Sequence, residues 1–239
     1  MAILKAADPH PQTFAQSFLG PDNPKELRLI AISSLSGAAT IDGTSGALGN
    51  AHDSALLAAL RSWSDAVLVT ASTAAKESYV APTSLEEDAQ QRIQRGQLPH
   101  PHLVVLSNSL QFDLPRAGKV IALSPWQAHQ QWQQRREQLI AEGHEVLSYR
   151  GSIANAIRTL HHVGIRRICC EGGPWLYTQL SQADCIDKLY FSLAPVVCTP
   201  VQHPLFLGGD GHTQQQHMRL EAGRNTEDGL LFLRYSTKS

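Results

Sequence analysis

The chain has 239 residues, of which 42% are hydrophobic and 17% charged, with a formal net charge of −1 and a pI near 6.8. Its basic residues occur in scattered pairs such as Arg135-Arg136 and Arg166-Arg167, which argues against the basic face of a nucleic-acid binder. No apolar run reaches the roughly 18 residues of a transmembrane helix, and Asp8, Pro9 and His10 stand where a signal peptide needs its apolar region, so a cytoplasmic protein with no membrane partner is expected.

Residues 1–26 are rich in Pro, Asp, Asn and Gln and read as an N-terminal arm, with a short helix over 13–19. One domain is expected over 27–239, since no linker or repeat divides it. Residues 27–33 carry Leu29, Ile30 and Ile32 in a near-continuous apolar run, the pattern of a strand covered on both faces. Small residues follow at 34–39, then a Gly-rich loop at 40–49 with turn chemistry at Asp42-Gly43. Asn50 is placed to cap a helix that aligns Leu56, Leu57, Leu60 and Trp63. Arg61, near its end, either serves the helix dipole or reaches an anionic ligand.

A second strand is expected over 65–70, ending in the small hydroxyl segment Thr70-Ala71-Ser72-Thr73 before a short helix. A polar helix over 84–98, strands at 103–106 and 119–123, a solvated helix over 127–142 and a strand at 144–147 come next. Ser152 caps a helix carrying Ile153, Ala156, Ile157 and Leu160, which Gly164 ends. Short connections between alternating strands and helices imply a largely parallel α/β sheet. Residues 188–197 and 230–235 have no clear helix between them and are expected to pair antiparallel at one edge.

The segment 166–183, RRICCEGGPWLYTQLSQA, reads as a buried strand, a Gly172-Gly173 turn, and a helix opened by Pro174. A glycine turn feeding a helix N-terminus offers free N–H groups and a favourable dipole to an anion. The same pattern also serves as a plain turn. Glu171 stands at the carboxyl end of its strand, where open α/β sheets bind ligands.

Cys169 and Cys170 are adjacent on a strand and should point to opposite faces; with Cys185 and Cys198 they read as reduced thiols, since no C-x-x-C occurs. The 11 histidines form no zinc pattern, so no metal is expected. The chain carries neither G-x-G-x-x-G, nor a P-loop, nor G-x-S-x-G.

Four segments in order resemble the reductase domain of riboflavin biosynthesis: ISSLSGAATIDGTSGALG at 32–49, LRSWSDAVLVTASTAAKE at 60–77, ICCEGGPWL at 168–176 and IDKLYFSLAPVV at 186–197. EDGLLFLRY at 227–235 resembles the last strand of such chains. The resemblance implies a three-layer, dihydrofolate-reductase-like α/β fold, with a mostly parallel central sheet and antiparallel C-terminal strands. It further implies an NADPH-dependent reductase of the ribosyl group of 5-amino-6-(5-phosphoribosylamino)uracil, and a homodimer through the strands at 188–197 and 230–235.

Residue by residue, the resemblance places Ser33 and the loop from Ser45 to Leu48 along the nicotinamide and substrate cleft. Arg61 would face the substrate phosphate and Glu171 the substrate's polar ring. Thr73 and Glu77 match the family's Thr and downstream acid that hold cofactor. Ser107 and Asn108 would lie near the adenosine 2′-phosphate. Gly172, Gly173 and the first turn after Pro174, with Trp175 and Leu176, would cradle the pyrophosphate. The chain departs from the pattern at Ser36, where the family's S-L-D-G has Asp, so that this substrate-side position can only hydrogen bond. It departs at Ser72-Thr73, where the family has G-T, and at 77–82, where ESYVAP replaces D-D-P-x-L-x-x-R. Two further readings stay open: reduction of another pyrimidine or pteridine, dihydrofolate included, and a nucleotide-binding homologue without catalysis.

Overall fold

The apolar runs of the sequence become the inner strands of one sheet. The structure, a computed structural model, describes residues 4–113, 118–127, 129–208 and 214–237. Its elements in chain order are β1 (Lys5–Ala6), α1 (Pro11–Phe18), β2 (Glu26–Ser34), α2 (Ala51–Trp63), β3 (Ala66–Thr70), α3 (Ala71–Lys76), α4 (Glu86–Gln94), β4 (His102–Leu106), β5 (Ile121–Pro125), α5 (Gln130–Ala141), β6 (Glu145–Tyr149), α6 (Ile153–His162), β7 (Arg167–Gly172), α7 (Pro174–Gln182), β8 (Lys188–Ala194), β9 (Arg219–Asn225) and β10 (Leu231–Ser236).

Among the described residues, ten strands form one sheet in the order β1-β9-β10-β8-β2-β7-β3-β4-β5-β6. Pairing is parallel from β8 through β2, β7, β3, β4 and β5 to β6. It is antiparallel where β10 lies between β8 and β9. This is the dihydrofolate-reductase-like α/β arrangement expected from the resemblance.

Helices cover both faces, giving three layers. On one face α6 and α7 press Ile153, Ile157, Leu160, Leu176 and Leu180 onto Leu27, Leu29, Leu68, Val104 and Cys170. On the other, α1 and α2 press Phe14, Phe18, Leu56 and Leu60 onto Ile30, Cys169, Tyr190 and Phe232. Cys169 and Cys170 thus face opposite ways, as strand alternation requires.

Several elements differ from expectation. The 1–26 segment holds more structure than an arm: Phe14 and Phe18 are buried at ring-centroid separation 5.2 Å, and β1 pairs with β9. Arg28 anchors the stretch that follows α1 by donating to the carbonyls of Leu19 and Pro21, while pairing with Glu26 and lying 3.7 Å from the Trp63 ring centroid. α5 is not wholly solvated, because Trp132 and Leu139 are buried and Trp132 Nε1 donates to Ser124 Oγ. β8 and β10 do pair antiparallel, but neither is an edge, since β9 and β1 extend the sheet beyond them. No helix among the described residues is long and apolar enough to cross a membrane.

Candidate active site

The carboxyl ends of β2, β3, β4 and β7 open on the α2 side into a cavity of about 860 Å³. Such strand ends are where open α/β sheets take ligands.

Glu171, at the end of β7, forms the cavity's fixed point. Arg61 on α2 grips it bidentately, Nε to Oε1 at 2.7 Å and Nη2 to Oε2 at 2.6 Å. The Tyr79 hydroxyl donates to Oε2 at 2.5 Å. Two parallel N–H bonds from one guanidinium are the strong, geometrically specific form of this pair. Burial alone would disfavour the Arg61 cation, yet the hydrogen bonds and charge of Glu171 outweigh it and raise its pKa. Burial, then the charge of Glu171, pushes the Tyr79 phenol well above its ordinary range, so that it is a firm proton donor. Glu171 therefore accepts three strong hydrogen bonds and is held in one orientation.

Beside it, two helix N-termini face the same space. Thr70 caps α3 and its Oγ1 also accepts from Gly173 N at 3.3 Å, tying the β3–α3 turn to the β7–α7 turn. Gly173 caps α7 without a side chain, and the Trp175 N–H has no partner among the described residues. An added Cβ at Gly173 would collide with Thr73 Oγ1. Thr73 thus packs directly on the Gly173 backbone, and the unpaired Trp175 N–H stands at a helix start, where a free N–H and the dipole favour an anion.

The Gly-rich loop forms the third wall. Glu77 Oε1 accepts from Ser45 N at 3.3 Å and Ser45 Oγ at 3.1 Å, latching the loop to the end of α3. Asp53 lines the cavity from the first turn of α2, with Leu57 and Arg61 at i+4 and i+8 on the same face.

Of the residues singled out in the sequence, the cavity brings together Ser45, Arg61, Thr73, Glu77, Ser107, Asn108, Glu171, Gly173, Pro174 and Trp175. Five others do not line it. Ser36 Oγ is bonded to both Cys198 O and Cys198 N, so it pins the loop after β2 rather than facing the cavity. Ser33 is buried with its hydroxyl on Ser34 O. Leu48 and Leu176 belong to the two apolar cores. Gly172 has φ +97° and backs onto the Tyr177 ring, 2.8 Å from where a Cβ would lie. Arg61, expected to face a phosphate, directs its guanidinium at Glu171 instead. Asp53, Tyr177 and His203, which also line the cavity, escaped the sequence reading. The i, i+4, i+8 spacing of Asp53, Leu57 and Arg61 was the available signal for the first; none marked His203.

The model of the RibD C-terminal domain family matches residues 26–232. A pyrimidine reductase-like protein from Corynebacterium diphtheriae is similar over 95% of this chain and 98% of its own, at 34% identity and a TM-score of 0.82. RibD from Acinetobacter baumannii is similar in fold, with 19% identity and a TM-score of 0.70; the match covers 95% of this chain and 62% of that one. The riboflavin biosynthesis reductase Rib7 from Saccharomyces cerevisiae is similar in fold over 93% of this chain and 94% of its own, at 10% identity and a TM-score of 0.59. No curated protein matches the chain in sequence.

Proposed function

The chain belongs to the RibD C-terminal domain family, and from that we propose that it is an NADPH-dependent reductase of the riboflavin-biosynthesis type, acting on the ribosyl group of 5-amino-6-(5-phosphoribosylamino)uracil. The observation that carries this reading is the shared cavity: the Gly173 turn and the pinned Glu171 carboxylate lie on one wall system, an anion cradle beside a hydrogen-bond acceptor.

When bound, the nicotinamide supplies the hydride. The chain's own residues bind and orient. The Trp175 N–H and the Thr70–Thr73 hydroxyl pair, beside the Gly173 turn, would hold a pyrophosphate, and Ser107 and Asn108 at the end of β4 would flank the adenosine side. Glu171, fixed by Arg61 and Tyr79, accepts from an N–H of the substrate ring. Ser45 and the latched loop close over the reacting end, which excludes water and holds the two reactants in register.

One observation favours a second reading. Arg61 is spent on Glu171, and the 77–82 segment supplies Tyr79 to the same carboxylate. That arrangement suits a substrate without a phosphate, another pyrimidine or a pteridine such as dihydrofolate. We further propose a cytoplasmic homodimer. Leu189, Phe191 and Leu193 of β8 stand opposite Tyr235, Leu233 and Leu231 of β10, all half-buried, as one apolar face.

The test is loss of reduced-nicotinamide absorbance with the ribosylaminopyrimidine phosphate and, in parallel, with dihydrofolate. Turnover of the first is expected. Turnover of dihydrofolate alone moves the protein to the second reading. Silence with both compounds overturns the two together.

A further inference from the structure

Three carboxyl side chains line the cavity, and their bonding sets them apart. Glu171 accepts from Arg61 twice and from Tyr79 once. Glu77 accepts from Ser45 N and Oγ on one oxygen. Asp53 is different. Its Oδ1 meets the Ser192 hydroxyl at 2.7 Å, no cation approaches it, and Oδ2 has no hydrogen-bond partner among the described residues. The first-turn amides of α2 are taken by the Asn50 side chain, at 2.9 Å to His52 N and 3.1 Å to Asp53 N, so Asp53 does not cap its own helix. Gly49 leaves the space for it: a Cβ there would stand 2.8 Å from Oδ2.

Strand register locates this acid. Ser192 lies opposite Ile32, while Glu171 follows Cys170, the partner of Leu29. Ser192, which holds Asp53, thus sits roughly 7 Å further toward the strand ends than Glu171, at ~3.3 Å per residue, and on the far side of β2 from it.

We propose that Asp53 is a catalytic acid of this site, whose carboxyl gives a proton to the nitrogen of the C=N bond being reduced. The proposal rests on the reductase reading above. As the carbon takes a hydride from a reduced nicotinamide, the C=N π pair moves to nitrogen. The new N–H forms with the proton of Asp53, and the carboxylate left behind is reprotonated by water at the cavity mouth. Asp53 fits the task because a single neutral hydroxyl, not a cation, donates to its Oδ1, while Oδ2 has no hydrogen-bond partner among the described residues. Burial pushes it above the usual carboxylate range, with the Ser192 hydrogen bond pulling the other way. The charged and titratable groups around the cavity are Arg61 and Glu171, which pair with each other; Tyr79 and Tyr177, bonded to Glu171 and to the Ile30 carbonyl; and Lys76, Glu77 and His203 elsewhere on the lining. His52, beside Asp53 on the helix, is bonded to the Asp8 carbonyl.

The experiment pairs turnover with infrared titration of the cofactor-free protein. The wild type should show a protonated-carboxyl band that titrates above the ordinary Asp range and is missing in Asp53→Asn. That variant should lose about 10²-fold or more in kcat, the usual worth of a positioned acid, with its dissociation constant for reduced nicotinamide unchanged. Ser192→Ala, which removes the hydrogen bond to the ionised form, should shift the band and the kcat profile to higher pH; it serves even if Asp53→Asn does not fold. A wild type that turns over beside an Asp53→Asn that keeps its kcat overturns the proposal and leaves the reductase reading standing. A band that Asp53→Asn does not remove, or that Ser192→Ala does not move, also overturns it. A wild type that neither binds cofactor nor turns over removes the reductase reading and the catalytic role with it, while the band separately decides whether Asp53 holds a proton.

Discussion

The Tyr79 hydroxyl lies 2.5 Å from Glu171 Oε2, the same oxygen that Arg61 Nη2 reaches at 2.6 Å. Two donors, one on α2 and one in the loop after α3, therefore converge on one carboxylate oxygen. Tyr79→Phe removes one of them and leaves the ring in place. The expected result is a stability loss of about 1 kcal/mol, the worth of one hydrogen bond, and a raised KM for substrate with cofactor affinity unchanged. Urea unfolding and steady-state kinetics check the two parts.

Arg61→Gln is expected to cost more. It strands Glu171, whose side chain is 4% exposed, without its counter-charge. A fully buried pair broken this way costs roughly 3–5 kcal/mol. Arg61 keeps 31% of its side chain exposed, so solvent screening lowers the expectation to about 2–3 kcal/mol. Arg61→Lys should recover only part, since an ammonium cannot make both parallel bonds. Denaturant midpoints of the two variants give the comparison.

Asp53 carries a pH signature in stability. Its folded pKa lies above the unfolded value, through burial. As pH rises from the unfolded pKa toward the folded one, the unfolded state releases its proton first, and stability falls. Asp53→Asn lacks that dependence. Its melting temperature should exceed that of the wild type by an amount that grows across this window and is level above it. Melting curves over a pH series test the sign; a gap that shrinks with rising pH contradicts it.

Glu77→Gln weakens the latch on Ser45. The loop at 40–49 should then close less firmly, raising KM by about three- to tenfold, the worth of one hydrogen bond at ~0.5–1.5 kcal/mol. Hydrogen exchange should rise in the loop and stay constant in β3, and kinetics read the KM.

The proposed dimer depends on the apolar face of β8 and β10. Phe191 stands opposite Leu233 in the centre of that face. Phe191→Asp is expected to shift sedimentation from dimer to monomer at micromolar concentration. A wild type that is already monomeric contradicts the dimer.

What the sequence could reveal followed the range of the forces involved. β3 and β4 were legible because both faces are covered, so Val67, Leu68, Val69 and Leu103 to Leu106 leave no polar interruption. The Gly173–Pro174 turn was legible because turn chemistry is local. β9 was not: Arg219, Glu221 and Arg224 hide a strand whose registry comes from β10. In α5, Gln and Arg mask the buried Trp132 and Leu139. At the site, Arg61 and Tyr79 meet Glu171 across 110 and 92 residues of chain, which no local pattern encodes. Ser33, Gly172 and Leu176 sit next to cavity residues in sequence, yet adjacent side chains on a strand or a helix point different ways. Its place in the motif makes Ser36 a substrate position by resemblance, while its hydroxyl serves the Cys198 backbone.

The most direct measurement is fluorescence titration of the wild type and Gly173→Ala with NADPH. The added methyl would press on Thr73 Oγ1 and narrow the cradle between α3 and α7. Saturable binding by the wild type, weakened about tenfold or more (~1.4 kcal/mol) in Gly173→Ala, is the expected result. A wild type that does not saturate at millimolar NADPH, or a variant that binds as tightly, contradicts the account.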